Sequence, residues 1–397
     1  MRKVYLDHSA TTPVDPRVVE AMLPYFTEKF GNASSVHQMG QEARAGVDRA
    51  RRQIAAFIGA RANEIVFTSG GTEANNLAIL GVGEAAQSHG RHIIISAIEH
   101  PSVRASAEHL QKNGWELTSL PVYESGIVRV EDVRAALRPD TVLISIMMAN
   151  NEIGTIQLVA EIGALVHAER ERGHRHLWLH TDAVQAAGRI PLDVESLGCD
   201  LLSLSAHKIY APKGTGALFV RRGMRLFPQQ HGGHQERERR GGTEAVANIV
   251  AFGTAAELAQ KELTERNDHT RRLRNRFEKQ LSERVDDFVF NGDRERRLPH
   301  LSNISFRFIE GEGLLIHLDM QGVAVSTGSA CSSGTIEPSP IIRALGRDDE
   351  LARGSIRFSF GKDNSEEDVD YVLEVTTRAI ESLRKLSPLS QTSAALV

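Results

Sequence analysis

Cysteine is nearly missing from this 397-residue chain: there are two, Cys199 and Cys331. Two thiols cannot build a disulfide framework, and their scarcity fits a reducing compartment. Long apolar runs are missing as well. The stretch 141–149 is among the longest and is far too short to cross a bilayer. The basic start, MRKVYLDHSATTPVDP, leads into no apolar segment of signal-peptide length. These absences predict a soluble, cytoplasmic protein with no membrane partner. Charge of one sign is not in excess either. Against 47 Lys+Arg stand 51 Asp+Glu, a net charge of −4, which gives no basic surplus for direct contact with nucleic acid. With 13 Pro, 33 Gly and no fixed repeat, the chain is neither collagen-like nor a linker.

What is present is a globular composition, 41% hydrophobic and 25% charged. At roughly 100–200 residues per domain, two domains are expected. From about residue 60 to 225, short β-branched runs alternate with helical patterns. Strands are expected at 64–68, 92–96, 116–121, 141–148, 177–180, 201–204 and 217–221, with helices at 72–87, 102–112, 130–137 and 158–171. Most of the strands are continuously apolar, as in a parallel sheet covered on both faces by helices. The expected fold class is therefore α/β with a mostly parallel sheet. A charge-rich helical stretch follows at 246–282. Strands at 301–308 and 354–359 then mix with helices at 313–320 and 366–383 in an α+β pattern. A short strand, Val4–Asp7, is placed to pack onto this second unit. The boundaries expected are a large domain over 15–260, a smaller one from 1–14 and 261–386, and a polar tail at 387–397.

Polar clusters fall just after the strands. Ser69-Gly70-Gly71-Thr72-Glu73 opens a helix, where free N–H groups and the helix dipole favour a phosphate, although a plain tight turn would look the same. Asn150-Asn151-Glu152, Asp182 and Ser205-Ala206-His207-Lys208 follow three other strands. In open α/β sheets ligands bind beyond the carboxyl ends of the strands, so the clusters converge on one crevice. A lysine that can form a Schiff base, a carboxylate for a pyridine nitrogen and a phosphate site are the partners pyridoxal phosphate needs. Lys208, Asp182 and Thr72 can fill these roles. Asp182 can equally be read as a helix N-cap, with Gln185 completing a capping box. Cys199, at the entry of an apolar strand, reads as a buried thiol. Cys331 lies in Ser326-Thr327-Gly328-Ser329-Ala330-Cys331-Ser332-Ser333-Gly334, whose small polar neighbours cannot build a core, and it reads as reactive. His174, His176 and His180 suggest a metal, but no Cys or carboxylate completes a tetrahedral set at usual spacing, so none is expected.

Eight stretches in series carry a resemblance: 5–13 (YLDHSATTP), 30–32 (FGN), 68–76 (TSGGTEANN), 99–101 (EHP), 150–154 (NNEIG), 180–185 (HTDAVQ), 205–208 (SAHK) and 328–331 (GSAC). Together they resemble the cysteine desulfurases of the NifS/IscS type, a class-V aminotransferase-like branch of the fold-type-I pyridoxal phosphate enzymes. The resemblance implies Lys208 as the Schiff-base lysine, Asp182 at the ring nitrogen and His100 stacked on the ring and moving protons. It places Asn151 and Gln185 at the ring oxygen, and Gly71, Thr72, Ser205 and His207 at the phosphate. Thr243 would reach the phosphate of the other subunit in a homodimer. Arg357, helped by Asn32, would clamp the substrate carboxylate, and Cys331 would be the nucleophile on a long loop. The run 232–243 is more charged than the family pattern and reads alternatively as a solvated loop.

The implied activity takes L-cysteine to L-alanine and leaves sulfur on Cys331 as a persulfide for an acceptor protein. Iron–sulfur cluster assembly, tRNA thiolation and DNA phosphorothioation are the destinations such enzymes serve. Selenocysteine lysis or transamination on the same scaffold, and a docking scaffold without turnover, are the competing readings.

Overall fold

The computed structural model describes residues 2–327 and 338–387. Cys331, most of the loop after it and nearly all of the 387–397 tail lie outside the described residues. In chain order the strands are β1 (Val4–Tyr5), β2 (Ile65–Thr68), β3 (His92–Ser96), β4 (Glu116–Leu120), β5 (Thr141–Ser145), β6 (Trp178–Asp182), β7 (Leu201–Ser205), β8 (Gly216–Val220), β9 (Phe288–Phe290), β10 (Leu301–Phe306), β11 (Val323–Ala324) and β12 (Ser355–Ser359).

Seven of these form one sheet in the order β2-β8-β7-β6-β5-β3-β4. Pairings along β7-β6-β5-β3-β4 are parallel, while β8 runs antiparallel to both β7 and β2. Since β2 is reversed twice relative to β7, all strands but β8 share one direction. Their carboxyl ends therefore meet along one edge. Alternate residues feed opposite faces. Ile65, Phe67, Ile94, Leu202 and Phe219 enter one core cluster, and Val66, Ile93, Ile95, Leu201 and Leu218 enter another. Burial on both faces is why central strands such as β3 and β5 are largely apolar instead of alternating, while the edge strand β4 is polar and half-exposed.

The second core gathers on the three-stranded antiparallel sheet β12-β10-β9. Phe277, Leu314 and Val372, from helices Leu263–Ser282, Gly311–Met320 and Glu366–Leu386, fill it, together with Val4 and Leu6. The N-terminal strand does pair there: Val4 and Tyr5 lie parallel to Val323 and Ala324.

Three expectations need correction. The stretch 246–282 is two helices, Val246–Lys261 and Leu263–Ser282, separated at Glu262. The carboxylate of Glu262 accepts from both Arg17 and Arg266, and no proline or glycine marks the break. A helix at Gln38–Phe57 went unforeseen, although Ala43, Val47, Ala50 and Ile54 recur at helical spacing and are buried. The strand expected over 141–148 ends at Ser145. Cys199 is buried, and loss of solvent pushes its thiol up to about 12, so this thiol is inert.

Candidate active site

The shared carboxyl edge opens into a cavity of about 320 Å³ lined by Gly71, Thr72, His100, Asn151, Asp182, Gln185, Ser205, His207, Lys208 and Arg357. Ten of the residues singled out from sequence are thus brought together.

Beyond β2 the chain makes its turn with Gly70 at φ +157°, a conformation that costs glycine little. A Cβ on Gly71 would lie 2.8 Å from Val184 Cγ2, so only glycine fits against that wall. Helix Gly71–Ala86 starts here with no side chain capping it. Its first amides and the positive end of its dipole face the cavity, as anion sites require. Glu73 braces the turn by accepting from Ser69 N at 2.7 Å and pairing with Arg240 at 2.8 Å.

Asp182 ends β6. Its carboxylate accepts from Asn75 Nδ2 at 2.7 Å and from Val184 N at 3.0 Å. No helix begins there, and Gln185 turns away to donate to the Ser9 carbonyl at 2.8 Å. The capping-box reading of Asp182 is therefore wrong: the side chain is tied to a turn and to helix Gly71–Ala86 through Asn75, and it lines the cavity.

Lys208 leaves β7 in a short 3-10 turn, Ala206–Lys208. Its Nζ donates to the carbonyls of Ser9 and Ala10, at 2.5 and 2.6 Å. The same N-terminal segment holds His207, through Thr11 Oγ1 at 3.1 Å. Burial, reinforced by the Lys208 charge, lowers His207 to about 4 and keeps its imidazole neutral. His100 caps helix Pro101–Lys112 by accepting from Ser102 N at 3.1 Å. Desolvation lowers its pKa against the opposing pull of Asp182, so the ring is neutral, and with Nδ1 accepting from Ser102 N its proton sits on Nε2. Next to it, Glu99 is wholly buried and pushed up to about 8 by desolvation. It accepts from Ser96 Oγ and Met147 N, at 2.5 and 2.9 Å, which ties the ends of β3 and β5 together.

Arg357 comes from β12, in the other core, with its side chain 4% exposed. Nη1 donates to the Asn151 carbonyl at 2.9 Å and Nη2 to Asp7 Oδ1 at 2.7 Å, while the buried Nε has no partner among the described residues.

Asn32 and Thr243 are not brought to this cavity. Asn32 is exposed and accepts from Ser34 N at 2.9 Å, and Thr243 is exposed beyond the charged run. Cys331 is outside the described residues. The charged run is not simply solvated. Glu236 is buried, accepts from Arg51 at 2.6 and 2.7 Å and from Phe67 N at 2.9 Å, and lies with Arg237 and Glu238 at positive φ. The histidines that suggested a metal have other partners. His180 sits between the hydroxyls of Ser145 and Ser203, at 2.8 and 3.0 Å, and His174 contacts the Thr141 carbonyl at 2.8 Å.

Sequence reasoning missed Asn75, Ser9 and Ala10. Asn75 left a faint signal, a poor helix former in a helix interior. Ser9 and Ala10 act through main-chain carbonyls, so their side chains give no sign of the contact, although the stretch 5–13 that holds them is one of those carrying the resemblance.

A family model, aminotransferase class-V, matches residues 4–372. The chain is 49% identical over 390 residues to a cysteine desulfurase IscS of Dictyoglomus turgidum, covering 98% of each. A solved NifS-like protein superposes with a TM-score of 0.89 at 36% identity, over 96% of this chain and 100% of that one. A structure described as SspA in complex with cysteine gives a TM-score of 0.79 at 34% identity, over 91% and 99%. A cavity with a lysine, a carboxylate and an uncapped helix start, found in a chain similar to these proteins along nearly all its length, admits one assignment: the chain belongs to the class-V aminotransferases, in the cysteine desulfurase branch of the NifS/IscS type.

Proposed function

We propose that this desulfurase binds pyridoxal 5′-phosphate in the 320 Å³ cavity, converts L-cysteine to L-alanine, and passes the sulfur through Cys331 to an acceptor protein. The observation that carries the reading is that Lys208 Nζ, the Asp182 carboxylate, the uncapped start of helix Gly71–Ala86 and the Arg357 guanidinium all line that one cavity. The donor set suits the cofactor: an amine for its aldehyde, a carboxylate for its ring nitrogen, and amides with Ser205 and His207 for its phosphate. When bound, the cofactor withdraws electrons from the Cα and Cβ of the amino acid attached to it.

The chain's own groups do the rest. Lys208 would hold the cofactor through its aldehyde and is the amine placed to move a proton in the cavity. Asp182 would face the ring nitrogen and keep it protonated. His100, neutral at physiological pH, exchanges a proton with substrate. Arg357 pairs with the α-carboxylate. The Cys331 thiolate then attacks the substrate sulfur: a new S–S bond forms, the Cβ–S bond breaks, and its electron pair stays on the carbon side, which is quenched by a proton to give alanine. Sulfur is oxidised to the sulfane level and carbon reduced, so no outside oxidant is needed. The resulting persulfide passes to a thiol of a partner protein in the cytoplasm. Homodimerisation, with Thr243 at the partner subunit's phosphate, belongs to the same proposal.

Borohydride reduction of the cofactor-loaded enzyme followed by peptide mapping is expected to fix the cofactor at Lys208. Cys331→Ser is expected to stop persulfide formation from L-cysteine. A label at another amine, or undiminished sulfur transfer by Cys331→Ser, overturns the assignment.

A further inference from the structure

The N-terminal segment 7–12 crosses from the smaller sheet to the cavity edge. Ser9 and Ala10 engage Lys208, and Thr11 and Thr12 engage His207, yet the proposed chemistry gives no work to the aspartate that starts the segment. Asp7 does not line the cavity. Its carboxylate meets Arg357 Nη2 at 2.7 Å and is, among the described residues, the only one paired with that guanidinium.

The pair is held rigidly from both sides. The Asp7 carbonyl accepts from Tyr5 Oη at 3.0 Å and from Ala10 N at 2.9 Å, and its neighbour His8 donates N–H to the Ser359 carbonyl at 3.3 Å. Arg357 lies two residues from Ser359 on the same strand, and its backbone exchanges hydrogen bonds with Ser326. Asp7 and Arg357 are therefore anchored to one frame although 350 positions apart. Take Asp7 away and, among the described residues, the guanidinium keeps one hydrogen bond, from Nη1 to Asn151 O, with no acceptor there for Nε. One bond allows the planar group to swing about it, whereas two determine its plane.

We infer that Asp7 is a positioning residue: by holding Nη2 it aims the Arg357 guanidinium at the cavity and so sets the affinity for the α-carboxylate of the amino-acid substrate. This rests on the reading of Arg357 as the carboxylate partner. A merely structural ion pair would disturb every ligand alike. A positioning pair disturbs only ligands that carry a carboxylate.

The test compares L-cysteine with 2-aminoethanethiol, which is L-cysteine without its carboxylate, on the cofactor-loaded enzyme. Binding is read from the cofactor's absorbance and turnover from alanine. Asp7→Ala is expected to raise KM for L-cysteine about tenfold with a smaller change in kcat. Its affinity for 2-aminoethanethiol should stay at the wild-type value. Asp7→Asn, whose amide oxygen still accepts from Nη2, should recover most of the loss and leave a deficit of about threefold. If the alanine variant does not fold, that deficit alone, confined to L-cysteine, carries the comparison. On an Arg357→Ala background, Asp7→Ala should add nothing. Equal losses for both ligands, no rescue by Asn, or tighter binding of L-cysteine by Asp7→Asn would overturn the proposal while leaving Arg357 in its role. An unchanged L-cysteine KM in Arg357→Ala would instead remove that role, and this proposal with it.

Discussion

Acid should loosen this protein through histidines that are buried neutral, and His180 lets the effect be worked out. It sits on β6 two residues before Asp182, wholly buried, with both ring nitrogens on hydroxyls, Ser145 at 2.8 Å and Ser203 at 3.0 Å. Desolvation pushes its pKa down to about 4, against a partial upward pull from Asp182. In the unfolded chain the group titrates near its ordinary 6.5. Between these two values the unfolded state takes a proton that the folded state refuses, so stability falls as pH drops from 6.5 towards 4. Fully developed, the gap is worth about 3.4 kcal/mol, and between pH 7.5 and 5.5 about 1.3 kcal/mol of it is lost.

The perturbation is His180→Gln, which offers a donor and an acceptor to the two serines but does not titrate. Native-state hydrogen exchange at the β6 amides, corrected for intrinsic rates, reads the opening free energy without requiring the whole chain to unfold in one step. The variant is expected to be less stable than wild type at pH 7.5 because the shape differs. Its loss between pH 7.5 and 5.5 should nevertheless be smaller than wild type's by about 1.3 kcal/mol. Parallel losses in the two proteins would refute the reasoning. His8, lowered to about 3, and His300, lowered well below its ordinary value, are also buried and act with the same sign, so wild type and variant both remain acid-labile.

Two further outcomes follow from buried partners. Asn75→Ala removes the 2.7 Å bond to Asp182 and the 2.9 Å bond to Ser102; equilibrium titration with pyridoxal phosphate should then show affinity weakened about tenfold, and wild-type affinity would discount the role given to Asn75. Glu236→Ala leaves the Arg51 guanidinium buried without its counter-ion and Phe67 N without an acceptor. It should cost about 3–5 kcal/mol, seen as a lowered thermal midpoint and new protease cleavage within 234–242, while resistance equal to wild type would show that the pair does not hold the run in place.

Much of the large sheet was legible because its central strands answer to one physical demand. A strand buried on both faces is largely apolar, as β3 and β5 are, whereas the edge strand β4 is polar and half-exposed and β6 ends in His180-Thr181-Asp182. The crevice was legible for a related reason: polar clusters at strand ends have nowhere to go in a parallel sheet except its carboxyl edge. Helix Gln38–Phe57 was equally readable from its Ala43-Val47-Ala50-Ile54 stripe and simply lay before the alternating region. The break at Glu262 was not readable, because no local breaker marks it and one of the partners its carboxylate meets there, Arg17, lies 245 positions away. Asp182 misled for an instructive reason. An aspartate three residues ahead of a glutamine is a sound local cap, and only the approach of Asn75 and of the Ser9 carbonyl diverts both side chains.

Those diversions share an origin. The segment 4–12 pairs with Val323 and Ala324 at one end, bridges to Ser359 in its middle and delivers Ser9, Ala10, Thr11 and Thr12 to Lys208 and His207 at the other. The amine is therefore braced from outside its own sheet as well: the Ser9 and Ala10 carbonyls that accept from it lie in the turn after β1, whose strand is anchored in the other core. Arg357, the proposed carboxylate partner, is likewise rooted in that core yet held by the Asn151 carbonyl in the loop beyond β5. Each of the two groups proposed to face a bound amino acid is thus braced across the junction between the cores. A shift of one core against the other would move both contacts at once, which is why an ordinary-looking peptide at the start of the chain governs the geometry of the cavity.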